Sequence, residues 1–284
     1  MNTGDWFSLI KVILKHGSPT IPSYNYEQFQ QDELEKISHL VKPVKKVNKK
    51  RVKLVRKLLP VPFIGPLIAL VSYYRAQKQW PTYIYHWPEK KLAYVRISKS
   101  GCTSLQGAIL QKQYPNLDVG QLSWDQIHNL GKQYIRPALS AGYTCFTVVR
   151  NPVDRLISCY HDKCLPVQKD FYYYQDYLFR VINPNLSITQ FVKRIKEIPD
   201  FVKDMHFRPQ SGFVEGLAGI KIFKLEEDYA ALEAFLKSYD LSLPHLHKTS
   251  MKKLTVEDLD ADTKNRIKVI YKEDFQNFNY SMDF

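Results

Sequence analysis

Several things are missing from this 284-residue chain, and each absence removes a class of function. Its four cysteines, Cys102, Cys145, Cys159 and Cys164, form no CxxC pair. The usual zinc spacings and a disulfide-dense secreted scaffold are therefore excluded, and a reducing compartment is the simplest reading. No GxxxxGK[ST] stretch occurs, so there is no Walker A loop, and the absence of DFG and HRD elements disfavours a protein kinase. The first fifteen residues carry Asp5, and their apolar run from Trp6 to Leu14 is broken by Lys11, so they do not read as a secretory signal. A membrane-spanning helix wants roughly 20 apolar residues. The best candidate, Leu58 to Tyr74, is shorter and contains Pro60, Pro62, Gly65 and Pro66. No internal repeat or low-complexity tract is visible.

What is present suits a globular protein. Hydrophobic residues make up 44% and charged residues 24% of the chain, and 19 Tyr with 15 Phe can build a sizeable core. The net charge of +13 is unevenly spread. Between Val41 and Pro60 lie Lys42, Lys45, Lys46, Lys49, Lys50, Arg51, Lys53, Arg56 and Lys57, with no acid. A local anionic partner is implied there, and a nucleic-acid surface over the whole protein is not. Residues 41–74 offer a peripheral contact with an anionic membrane. The favoured alternative is a basic helix followed by a hydrophobic strap packed on the domain.

Residues 1–80 read as a basic, Pro-punctuated helical extension, and residues 81–284 as the functional domain. Tyr83 to Trp87 and Leu92 to Ile97 are β-rich around a turn. Leu105 to Tyr114 has helical spacing. Thr144 to Val149 is an apolar, β-branched run suited to a strand buried on both faces. Asn151 and Pro152 then predict a helix start, with the helix running to about Cys164. Ser187 to Ile198 and Glu226 to Tyr239 read as helices, the latter with Tyr229, Leu232, Phe235 and Leu236 on one face. A short strand is expected over Gly219 to Lys224 and a helix over Val256 to Phe278. Alternating strands and helices predict an α/β fold with a mainly parallel sheet.

Two strand-to-helix junctions carry the chemistry. In the first, Ile97-Ser98-Lys99-Ser100-Gly101-Cys102-Thr103-Ser104, a glycine permits a tight turn and a helix begins. Free N–H groups at a helix start attract anions, and Lys99, Thr103 and Ser104 add a charge and two hydroxyls. In the second, Arg150 ends the buried strand and Ser158 lies on the helix that follows. Arginine binds phosphate in bidentate fashion. Open α/β sheets bind ligands at the carboxyl ends of their strands, and two such junctions suit a mononucleotide with phosphate at both ends. The plain alternatives are a capped helix start, an Arg150–Asp154 surface pair and a solvated Ser158.

The first stretch resembles the 5′-phosphosulfate loop of sulfotransferases that use 3′-phosphoadenosine 5′-phosphosulfate (PAPS). The second, VVRNPVDRLISCYHDK, resembles their 3′-phosphate motif. MHFRPQ (Met205 to Gln210), FKLEEDY (Phe223 to Tyr229) and IYKEDFQNFNY (Ile270 to Tyr280) agree with the Golgi-type carbohydrate sulfotransferases, sulfotransferase family 2-like, and their bacterial relatives. The resemblance covers Leu92 to Tyr280. It implies a P-loop-like three-layer fold and PAPS as co-substrate, with no metal required. Lys99, Ser100, Gly101, Cys102, Thr103 and Ser104 would hold the 5′-phosphosulfate, with Lys99 also stabilising charge on the bridging oxygen. Arg150 and Ser158 would hold the 3′-phosphate, and the acceptor would be a carbohydrate or glycolipid hydroxyl.

The general base is left open between His128, which lies between the two loops in sequence, and His206, with Asp204 nearby to orient it. Arg208 is a further contact candidate. Glu226 is a third base option, weighed against a carboxylate at the start of its own helix. The chain departs from the family pattern at Ser98, where many relatives have Pro. It departs again in LPHLHKTS (Leu243 to Ser250), where His247 stands in a segment that usually shows Asn. The missing cysteine spacing of luminal relatives points to a cytoplasmic active site, with membrane association allowed. Competing readings are a nucleotide-binding protein of this fold without turnover, a small nucleotide kinase, and an RNA-associated protein acting through the basic run, for which no recognition signature is present.

Overall fold

The computed structural model describes residues 3–17, 84–122, 126–127, 142–164, 177–183, 186–243 and 254–284. The basic run, Leu58–Tyr74, His128 and His247 lie outside the described residues. Of the described residues, 84–122, 126–127, 142–159, 205–243 and 254–284 fall in one compact unit, and 3–17, 160–164, 177–183 and 186–204 in another.

The first of these units is built on a four-stranded sheet in the order β1-β2-β3-β4. Strands β1 (Ile84–Trp87) and β2 (Leu92–Val95) form an antiparallel hairpin, with Trp87 opposite Leu92. β3 (Thr144–Val149) runs parallel to β2, pairing Leu92 with Thr144, and β4 (Lys221–Lys224) runs parallel to β3. The β-branched TCFTVV run thus becomes an interior strand, buried from Cys145 to Val149. A parallel pair needs a long crossover. Between β2 and β3 that crossover carries α2 (Cys102–Gln113). The N-terminal α1 (Thr3–His16) belongs to the other unit.

Alternation along the strands gives the sheet two apolar faces. Tyr94, Phe146 and Val148 pack with Leu105 and Ile109 of α2 and with Leu232 and Leu236 of a later helix, α6 (Tyr229–Lys237). Ala93, Val95 and Cys145 form the opposite cluster, with Ile84, Tyr143, Leu217 and Ile220. Both parallel strands β2 and β3 end in loops at their carboxyl edge, where the candidate site lies. The result is the expected α/β fold with a mainly parallel sheet and flanking helices.

Helix extents differ from the sequence reading in three places. After β3, α3 covers Pro152–Cys159, and Tyr160–Cys164 is a wider π-type turn instead of a continuation. Val256 to Phe278 is not one helix. It is a 3-10 turn (Val256–Asp258), then α7 (Ala261–Ile270), capped by Asp260 at 2.7 Å from the Thr263 amide, then α8 (Lys272–Asn277). The break falls at Tyr271, which is buried and donates its hydroxyl to the Phe207 carbonyl at 2.7 Å. The helix expected from Glu226 is α6 (Tyr229–Lys237), preceded by the short α5 (Ser211–Val214). Leu232 and Leu236 of α6 are buried, but Tyr229 is exposed.

The second unit includes α1 and α4 (Ile188–Glu197). Ser187 and Gln190 form a reciprocal cap at the start of α4. Leu9, Val12 and Ile13 of α1 and Phe191, Val192 and Ile195 of α4 are buried. Lys15 and His16 reach Glu197 at 2.9 and 3.0 Å. Tyr160 donates to the Leu186 carbonyl at 2.7 Å.

Candidate functional site: two anion loops at the strand ends

The chain leaves β2 through buried Arg96 and Ile97 and turns at Ser98 and Lys99. Lys99 has φ +69° and Gly101 has φ +73°, so two residues of the turn are left-handed. Glycine adopts that conformation freely, whereas for lysine it is strained. α2 starts immediately afterwards, and no side chain caps this start. Its first backbone bond is Leu105 N–H to the Gly101 carbonyl at 3.4 Å. The N–H groups from Gly101 to Ser104 therefore have no intrahelical acceptor and are available to an anion. Thr103 and Ser104 are half-buried, while Cys102 and Ser100 are buried.

The start of α3 is different, because its Asn151 and Val153 amides already have acceptors. Asn151 Oδ1 accepts from the Val153 amide at 2.9 Å, as a cap residue should. The Asn151 amide donates to Glu226 Oε1 at 3.0 Å. Glu226 Oε1 is also 3.8 Å from Arg150 Nε, and Oε2 accepts from the Tyr280 hydroxyl at 2.9 Å. Glu226 therefore serves the start of α3 and not the start of its own helix. The Arg150 guanidinium pairs with Glu226, where the sequence had suggested Asp154. Burial, and then the Glu226 carboxylate, raise the Tyr280 phenol far above its ordinary range, so it stays a donor. Ser158 is half-buried, one turn beyond exposed Asp154.

The two loops are bonded to each other. Arg150 Nη1 donates to the Lys99 carbonyl at 3.2 Å. The buried side chain of Gln210 joins them a second time. Its Oε1 accepts from Ser100 Oγ at 3.2 Å and from the Arg150 amide at 3.0 Å, and its Nε2 donates to the Arg150 carbonyl at 2.7 Å. The Ser100 hydroxyl is thus engaged within the protein. Arg155, 1% exposed, provides a third tie. Its Nε donates to the Ser98 carbonyl at 2.9 Å, Nη1 to Arg208 at 2.8 Å and Nη2 to Met205 at 3.0 Å.

The Arg155 guanidinium holds the residue before Lys99 and the residue before His206, so the MHFRPQ segment runs against the first loop. Three carbonyls of that segment, of Met205, Phe207 and Arg208, are fixed by side-chain donors. His206 is buried and Arg208 half-buried. Asp204, expected to orient His206, is buried and falls in the other compact unit. His128, the alternative base, is outside the described residues.

The structure brings Lys99, Ser100 and Arg150 together, and sequence reasoning missed the parts played by Arg155, Gln210 and Asp274. A signal existed for Arg155. It falls on the buried stripe of α3, three residues after Pro152 and four before Cys159, both buried. Gln210 lay inside a quoted motif with no local pattern to reveal its role. Among the described residues no group of three His, Cys, Asp or Glu side chains is arranged to hold a metal ion. No helix among them is long and apolar enough to cross a membrane.

The model of the sulfotransferase family matches residues 83–281. Comparison with the curated proteins and with the solved structures finds no match. The matched span covers both strand-end loops, Gln210 and Asp274, and the chain belongs to the sulfotransferase family.

Proposed function

We propose that this transferase takes the sulfuryl group of PAPS and passes it to a hydroxyl of a carbohydrate or glycolipid. One observation supports the reading above the others: Arg150 and Gln210 bond the two strand-end loops together. Groups suited to the two anionic ends of one nucleotide are thereby held at a fixed separation. The donor set fits such a nucleotide. The open N–H groups of Gly101 to Ser104 suit the 5′-phosphosulfate, and Arg150 with Ser158 suits the 3′-phosphate.

PAPS supplies an activated sulfuryl group on a phosphate leaving group. The task of the chain is then positioning and charge stabilisation. Lys99 neutralises charge on the departing phosphate oxygen. The acceptor proton goes to a histidine, either His128 or His206. His206 has its segment held against the Lys99 loop by Arg155. The carbohydrate or glycolipid acceptor and a peripheral anionic membrane contact through residues 41–74 are parts of the same proposal.

The test is release of 3′-phosphoadenosine 5′-phosphate from PAPS, measured with and without saccharide and glycolipid acceptors. Acceptor-dependent release that Lys99→Ala abolishes supports the reading. The variants His128→Asn and His206→Asn separate the two bases. Losing the base costs about 10²–10⁴-fold in rate, with nucleotide affinity unchanged. Acceptor-independent release, or none, would sink the proposal.

A further inference from the structure

We infer that Gln210 is a positioning residue that sets the separation of the two anion loops, and that Asp274 holds it in place. The inference rests on the nucleotide reading for its functional meaning and on hydrogen bonds alone for its geometry.

A nucleotide charged at both ends is a bivalent ligand. Its second contact gains from the first only when the two receiving loops already stand at the right distance. The loops here come from different strands, and Arg150 and Arg155 each reach from the second to a carbonyl of the first. Gln210 adds a rigid link. Its side chain is 0% exposed, and each of its amide heavy atoms is bonded to one loop or both.

The arrangement at Arg150 resembles strand pairing. The last main-chain bond between β3 and β4 is Leu225 N–H to the Val149 carbonyl at 2.8 Å. One residue later, the amide of Gln210 bonds both the N–H and the C=O of Arg150. It extends the order of β3 to the residue whose guanidinium faces the anion. The same Oε1 takes the Ser100 hydroxyl, so the first loop cannot shift without breaking a buried bond.

Gln210 is fixed in turn from the C-terminal helix α8. Asp274 is 0% exposed. Its Oδ2 accepts from the Gln210 amide at 2.8 Å, and its Oδ1 accepts from Ser211 N and Ser211 Oγ, both at 2.8 Å. An unpaired carboxylate would be costly at such depth, and these donors offset that cost.

The test uses the full chain with two substitutions. Gln210→Ala removes every side-chain bond. Gln210→Glu keeps an acceptor for Ser100 and the Arg150 amide but sets a second oxygen, and a buried charge, against the Arg150 carbonyl. Calorimetry gives Kd for 3′-phosphoadenosine 5′-phosphate and for AMP, and amide hydrogen exchange is followed without nucleotide. In Gln210→Ala the bisphosphate should weaken by about tenfold or more, while AMP changes by less than about twofold. Exchange at Arg150 and across Ser98 to Ser104 should accelerate. Gln210→Glu should show the same pattern, with the exchange increase centred on Arg150. Equal weakening of both nucleotides, or exchange unchanged in both variants, overturns the positioning role. If wild type itself does not prefer the bisphosphate, the nucleotide reading fails, and the exchange measurement decides the positioning role alone.

Discussion

Replacing Arg155 by lysine keeps the charge and nearly the length of the side chain, yet it should be among the most damaging conservative changes in this protein. The guanidinium is a planar fork whose donors point in fixed, divergent directions. Here three of them meet the carbonyls of Ser98, Met205 and Arg208 at 2.8 to 3.0 Å. An ammonium is a single point and can reach about one of the three. Two buried carbonyls then lose their donors, and each orphaned polar group costs about 1–3 kcal/mol. Arg155→Lys should therefore lose about 3 kcal/mol, or roughly 6–12 °C in Tm for a chain of this size. Thermal unfolding followed by circular dichroism gives the number. Hydrogen exchange should localise the loosening to Ser98–Lys99 and Met205–Arg208. A Tm within about 2 °C of wild type would refute the reasoning, because it would mean that the three carbonyls do not depend on the fork.

Two further outcomes follow from local geometry. Gly101→Ala places a Cβ at φ +73° and 3.4 Å from Leu225 Cδ1, so the backbone, not the space, sets the cost. We expect about 1–2 kcal/mol lost and weaker nucleotide binding, read by urea titration and calorimetry. For Glu197, burial pushes the carboxyl up, but hydrogen bonds from Lys15 and His16 push it further down, leaving it below its ordinary value. A depressed carboxyl contributes stability at neutral pH that is lost as the pH falls below about 4.5. The pair is partly solvated, so the contribution is about 0.2–1 kcal/mol. Glu197→Gln should lower the Tm slightly at pH 7 and not at pH 3, and an equal shift at both values would contradict the assignment.

Much of this architecture could be read from local patterns. TCFTVV is a strand from end to end because β-branched and apolar residues suit a position between two neighbours. Asn151-Pro152 and Ser187 cap helices where their chemistry says they should. What stayed hidden depends on contacts far apart in sequence. The helix expected from Val256 to Phe278 has no proline or glycine to interrupt it, and it breaks at Tyr271, whose hydroxyl is held by Phe207. Glu226 looked like a carboxylate for its own helix, but it serves Asn151 across the sheet edge. The left-handed Lys99 gave no sign in a sequence where the neighbouring glycine explained the turn. In the candidate site, Lys99 and Arg150 were legible as candidates, whereas Gln210, Asp274 and Arg155, which tie or support the loops that carry them, were not.

The measurement closest to the central claim is calorimetric titration of wild type, Lys99→Ala and Arg150→Ala with 3′-phosphoadenosine 5′-phosphate, with AMP as the control. Removing a charged phosphate contact costs about 1.5–3 kcal/mol, roughly ten- to a hundredfold in affinity. The account predicts tight binding that needs the 3′-phosphate, with Arg150→Ala erasing the preference over AMP and Lys99→Ala weakening both ligands. Binding indifferent to the 3′-phosphate, or unchanged in both variants, would contradict it.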